Sequence, residues 1–380
     1  MALPRTPTED LPDPTQAAGA PHPRDTPRQI GQATAEDAFL ASWNAGRLHS
    51  GWLLIGPPGV GKATLAYRIA TFLLATPVGA VPARTLDIPT EDPDAHLVRA
   101  GAHPRLHVVR RGPNATGERL ATEITADRVR KLKSFFHLSA ADGGARVVIV
   151  DPADEMNPTA ANALLKELEE PPANTTLLLI SHRPAALLPT IRSRCRTLRL
   201  APLAARDLDA ALTQAGIATD APEALSVLAQ GSVGDAIRMM RADGAAIYAA
   251  WIEAMATLPA LDRARVLKLA EACAGRGAEA RFELTLDLVD LFLSRAARAG
   301  LMGEPATQGA SGEARLLARI SPDDVAARAW AALQARVSAR ARHGRAVNLD
   351  PAALILDIAL GIEDTARAIL PATPVRGARP

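Results

Sequence analysis

The sequence is poor in aromatic residues, in cysteine, in net charge and in long apolar runs, and each shortage removes a class of protein. Aromatics make up 3 % of its 380 residues. Alanine and leucine must therefore fill the core, a bias towards helix. Two cysteines, Cys195 and Cys273, exclude a disulfide framework and a four-thiolate zinc site. They fit a reduced, cytoplasmic setting. Basic residues number 43 against 41 acidic ones, a formal charge of +2. Bulk charge thus makes no polybasic nucleic-acid binder, which leaves only a local patch for that role. No apolar run approaches the roughly 18 residues of a membrane span, and the N-terminus lacks the apolar core of a signal peptide. No membrane partner is expected.

What is present suits a multidomain globular chain. Hydrophobic residues reach 48 %, and the length suffices for two or three domains. Residues 1–28 carry seven prolines and scattered charge without periodicity, which reads as a disordered tail. From 29 to 201 strand and helix patterns alternate. "GWLLIG", "LHVVRR", "RVVIVD", "TTLLLIS" and "TLRL" read as strands. Between them, Lys62–Leu74 has helical spacing, Thr125 can cap a helix with Val129, Leu132 and Phe136 on one face, and Asn157-Pro158 opens another. This alternation predicts an α/β domain with a mostly parallel sheet covered on both faces. After Pro202 strand signals stop. A small helical domain is expected over 202–244, an all-α domain over 245–371, and a tail over 372–380. Residues 300–315, "GLMGEPATQGASGEAR", read as a loop.

The chemistry concentrates in "GPPGVGKAT". Gly56, Gly59, Gly61 and Lys62 follow a strand and open a helix, the context in which backbone N–H groups converge on phosphate. The pattern is incomplete. The residue after the lysine should bring a hydroxyl to magnesium, and it is Ala63. Thr64 points about 100° further round the helix and is no simple substitute. Asp151 ends a buried strand where a phosphate-site carboxylate belongs, or is a plain turn aspartate. Pro152 follows it, while Asp154 and Glu155 lie beyond the strand end. Ser181 ends the next strand, as a terminal-phosphate sensor or as a turn residue. Arg192, Arg194, Arg196 and Arg199 cluster in "TIRSRCRTLRL". Three readings stay open for them: a solvated basic edge, a contact to DNA phosphates, and an arginine finger for a neighbour's nucleotide. Cys195 and Cys273 read as small buried hydrophobes.

The stretches "GPPGVGKATLAYRIA", "VVIVDPADEMN", "NALLKELEEPP" and "LLPTIRSRC", in this order, resemble the bacterial clamp-loader family. The resemblance is strong over residues 30–200, reaches the small helical domain, and is architectural beyond 245. It implies an AAA+ fold: a P-loop α/β domain, a helical lid and a helical collar that joins five subunits in a ring. Gln32 falls where the family begins its nucleotide domain. Arg194 falls on the family's trans-acting arginine. Gly234, in "GSVGDA", stands where active members carry a lid arginine, and Pro152 where they usually carry a catalytic glutamate. With Ala63, these departures all weaken hydrolysis in cis while Arg194 is kept, a pattern similar to the family's stator. The implied partners are the gamma/tau motor and delta subunits of DNA polymerase III and, through the complex, the sliding beta clamp and primed DNA. ATP binding stays compatible with the intact glycines and Lys62, and intrinsic ATPase activity is not expected. Many relatives carry a four-cysteine zinc module upstream of the Asp151 strand. Residues 75–145 contain no cysteine, so no zinc is expected. Two alternatives remain: an active motor-type ATPase, and a DNA-binding module built on the arginine cluster.

Overall fold

A computed structural model describes residues 11, 13–77, 80, 82–114, 116–138 and 143–370. In chain order the elements are α1 (Ala33–Asn44), β1 (Gly51–Ile55), α2 (Lys62–Ala75), α3 (Pro93–Arg99), β2 (Leu106–Val109), α4 (Ala126–Leu138), β3 (Arg146–Val150), α5 (Pro158–Glu169), β4 (Thr175–Ser181), α6 (Pro189–Ser193) and β5 (Arg196–Arg199). They continue as α7 (Ala205–Gln214), α8 (Pro222–Leu228), α9 (Val233–Arg241), α10 (Gly244–Met255), α11 (Arg263–Ala272), α12 (Glu279–Met302), α13 (Glu313–Ile320), α14 (Asp324–Ala346) and α15 (Pro351–Ile369). The chain divides into two compact units, residues 1–218 with 231–234, and residues 219–230 with 235–380.

The first unit is the expected α/β fold, with the P-loop directly after β1. Its five strands are all parallel, in the order β2-β3-β4-β1-β5. Every residue of β1, β3 and β4 is buried, as strands covered on both faces must be. Leu53, Val148, Val150, Leu177 and Leu179 face the apolar stripe of α4 and α5, supplied by Leu132, Phe136, Leu164 and Leu168. On the other face Trp52 lies 5.1 Å from Phe39 of α1. Asn157 caps α5 by accepting from Ala160 N at 2.9 Å, with Pro158 at the first helical position.

The expectation of a disordered tail over 1–28 is corrected from Asp13 onward; residues 1–10 and 12, and the expected tail over 372–380, lie outside the described residues. Residues 13–28 are fastened along α2. Asp13 accepts from Thr15 Oγ1 at 2.7 Å, pairs with His22 at 3.2 Å and pairs with the Arg110 guanidinium. The His22 ring stands edge-on to Tyr67, 5.5 Å away, and Arg68 donates to Pro27 O at 2.9 Å. Burial alone would raise the Asp13 carboxyl, but the Thr15 hydroxyl and amide and the Arg110 guanidinium outweigh it and hold it at about 2. Composition misjudged this segment because its anchorage is polar and comes from residues far along the chain.

The second unit is helical throughout its described residues. The segment expected to be a loop over 300–315 is shorter, since α12 continues to Met302 and α13 begins at Glu313. Asp290 on α12 accepts from Gln334 at 3.1 Å and Ser338 at 2.5 Å on α14. Trp330 is fully buried and donates to Ile320 O at 2.9 Å. Among the described residues no helix is long and apolar enough to cross a membrane. The unit's main polar knot is Glu313, which has no exposed surface. Its carboxylate takes Tyr248 Oη at 2.6 Å, Arg295 Nε at 2.5 Å and Gly309 N at 2.6 Å. Glu313→Ala leaves the Arg295 charge, a tyrosine hydroxyl and an amide without their acceptor. The expected loss is about 3–5 kcal/mol, checked by denaturant unfolding of this unit followed through Trp251 and Trp330.

Candidate nucleotide site and arginine edge

The P-loop joins β1 to α2 at the carboxyl end of the sheet, where helix N-termini meet open-sheet ligands. Gly61 caps α2. Gln32 fixes the loop from behind: its Nε2 donates to Val60 O at 3.2 Å and to Ala201 O at 2.8 Å, and its Oε1 accepts from Ala201 N at 3.2 Å.

Lys62 is buried, and its ammonium is taken by its own loop. Nζ donates to Gly56 O at 2.7 Å and to Pro57 O at 2.5 Å. Burial pulls this lysine down to about 8, against the opposing pull of Asp151 and Asp154. Asp151, directly after β3, is buried too. Burial pushes its carboxyl up to about 7, and Lys62 offsets only part of that. Thr64 lies half-buried on α2. Ser181 is fully buried at the end of β4.

Two residues outside the sequence-based set complete the floor. Asp154, set aside because it lies beyond the strand end, folds back so that its side chain is 2 % exposed. Its Oδ1 accepts from His182 N at 2.9 Å. Burial acts to raise this carboxyl, yet the His182 amide and then the Ser181 hydroxyl hold it below its ordinary value. His182 is pushed down to about 4, first by burial and then by Lys62, so its ring is neutral. Its position immediately after Ser181 was the available signal.

The outer turn of the loop is covered. Gly59 O accepts from Val233 N at 3.0 Å, and residues 231–234 belong to the same unit. Gly59 has φ 71°, and a Cβ there would collide with Ser232 Oγ. Gly234 also lies against the loop, for a Cβ on it would sit 3.2 Å from Gly59 Cα. Among the described residues no group of three or more His, Cys, Asp or Glu is arranged to hold a metal.

The arginine cluster separates into different environments. Arg196 is committed to its own domain, 5.7 Å over the Trp52 ring and donating to Ser42 Oγ at 3.1 Å. Arg192 and Arg199 are exposed. Arg194 ends α6, pairs with Glu169 Oε1 at 2.9 Å and donates to Thr190 O at 3.1 Å. It precedes β5, whose Arg196 pairs with Trp52 at the start of β1. Arg194 and the P-loop therefore lie at opposite ends of β1, about 17 Å apart at strand rise.

Asp151 has a testable consequence for stability. Its folded pKa of about 7 lies above the ordinary 3.8. Between those values the folded chain holds a proton that the unfolded chain releases. The contribution is complete below about pH 4 and is lost as the pH rises through 7, by at most about 1.4 kcal/mol per unit. Asp151→Asn is expected to flatten the loss of stability between pH 5 and 7.5, measured by denaturant unfolding through Trp52 fluorescence. An unchanged pH profile would mean that the carboxylate is already ionised in the folded protein.

Comparison with known proteins agrees with the geometry over this unit. Residues 31–204 match the family model described as DNA polymerase III, delta subunit. The DNA polymerase III subunit delta' of Pseudomonas aeruginosa is 44 % identical over 144 residues, covering 38 % of this chain and 40 % of that one. The Escherichia coli subunit delta' is 33 % identical over 220 residues, covering 54 % and 59 %. The chain thus spans about half the length of the curated relatives it matches. Similarity extends to gamma and tau subunits. A solved DNA polymerase III gamma subunit-related protein from Thermotoga maritima is a distant likeness, 17 % identical with a TM-score of 0.32, covering 87 % of this chain and 100 % of that one. Over its P-loop domain the chain is thus similar to the delta-prime subunits of DNA polymerase III.

Proposed function

We propose that this chain is a stator of a clamp loader: a subunit that does not hydrolyse ATP itself and lends Arg194 to the nucleotide of a neighbouring motor subunit. The observation that carries this is the placement of Arg194. It stands half-exposed at the end of β1 opposite its own P-loop, so it is out of reach of phosphate there and open to an adjacent chain. A guanidinium supplied in trans neutralises charge as the phosphoryl group departs.

The chain's own site supports the same reading. Magnesium with nucleotide does not fit the residues present: Ala63 brings no oxygen, Asp151 is partly protonated near neutral pH, and the Lys62 ammonium is engaged by loop carbonyls. Pro152 offers no base to a water, and Gly234 offers no cation. The partners under this reading are gamma/tau and delta subunits in a heteropentamer, with the beta clamp and primed DNA reached through the assembly in the cytoplasm. An active ATPase is the competing reading. ATP turnover by the isolated chain would favour it.

The deciding experiment reconstitutes the complex and measures clamp- and DNA-stimulated ATP hydrolysis and clamp loading. Arg194→Ala is expected to leave assembly intact and slow hydrolysis at the facing site by on the order of 10³-fold or more. Total hydrolysis falls less, because the remaining sites keep their own arginines. Wild-type loading and hydrolysis by Arg194→Ala would remove the trans-arginine role.

A further inference from the structure

We infer that Glu169 is a positioning residue for Arg194, holding the guanidinium in one orientation before a neighbour's nucleotide arrives. The inference rests on the reading of Arg194 as a trans-acting arginine.

Three observations meet at one junction. The first is the ion pair: Arg194 Nη2 lies 2.9 Å from Glu169 Oε1, while Nη1 donates to Thr190 O at 3.1 Å. A guanidinium carries five N–H donors, so these two bonds fix its plane and leave three donors for phosphate. The second is the backbone beneath it. A Cβ on Gly51 would lie 3.0 Å from Leu168 Cδ2, 3.1 Å from Arg194 O and 3.2 Å from Cys195 Sγ. The glycine lets the end of α5 and the turn carrying Arg194 close tightly on the first residue of β1, where a Cβ would push them apart by a few tenths of an ångström. Glu169 and Arg194 are thereby set against each other by the core and not by side-chain chance. The third is the local cost. Glu169 is the last residue of α5, next to Glu170, where the helix dipole disfavours a carboxylate. A residue that breaks a local rule marks a place where another demand overrides it.

Stability does not supply that demand. The pair is 37 % and 48 % exposed, and exposed pairs add little to folding. Orientation does supply it, since a guanidinium already held in place loses less freedom when the phosphate is engaged.

The test uses the reconstituted complex with hydrolysis confined to the motor site that Arg194 faces, the other motor P-loops being inactivated. Glu169→Gln keeps the shape and removes the charge. It is expected to lower kcat about two- to fivefold, the range an exposed pair can supply, with the KM for ATP unchanged. Glu169→Asp is expected to recover part of the rate. In the Arg194→Ala background Glu169→Gln is expected to have no further effect, because the two act as one unit. In the free chain, ¹⁵N NMR is expected to show restricted rotation of the Arg194 guanidinium that Glu169→Gln releases. A wild-type rate for Glu169→Gln beside a slow Arg194→Ala would overturn the positioning role and leave the trans arginine standing. Slowing by Glu169→Gln that multiplies with Arg194→Ala would overturn it also. An Arg194→Ala complex at the wild-type rate would sink both ideas together.

Discussion

The five buried residues of β1 constrain most of the P-loop unit. The strand lies between β4 and β5, bonded to both, and cannot slip without moving every apolar residue to the wrong face. Its carboxyl end delivers Gly56 and the P-loop. Its amino end, through Gly51, sets the turn that carries Arg194. One strand therefore places a phosphate-type loop and a solvent-facing guanidinium on opposite rims of the sheet.

The buried charges at the P-loop follow from what surrounds them. Lys62 Nζ donates to two loop carbonyls, and burial pushes the Asp151 carboxyl up to about 7. The fold retains the geometry of the loop while its polar groups have turned inward to satisfy one another. Asp154 stands apart because the His182 amide and Ser181 hydroxyl favour its ionised form, so two carboxyl groups three residues apart shift in opposite directions.

The sheet was readable because its strands are short, apolar and bounded by turn residues. The P-loop was readable because glycine spacing is local. Helix α3 was not assigned, since seven residues hold too few periodic positions. Asp154 was passed over because one turn of 3₁₀ helix carries it back to the end of β4, a reversal that strand-end logic does not anticipate. Glu169 was not singled out in the sequence. Its partner lies 25 residues on, and nothing local links the two. The anchorage of residues 13–28 was hidden for the same reason, since the Asp13–Arg110 pair spans 97 positions. Contacts of that span are made by the fold, and composition does not register them.

The contact between Gly59 and Gly234 also bears on how this sequence can change. Each glycine occupies space that a side chain on the other segment would need. A Cβ at 234 would meet Gly59 Cα at 3.2 Å, so a side chain there asks the two segments to part by a few tenths of an ångström. The two segments therefore constrain each other, and a side chain added at either glycine is felt by both.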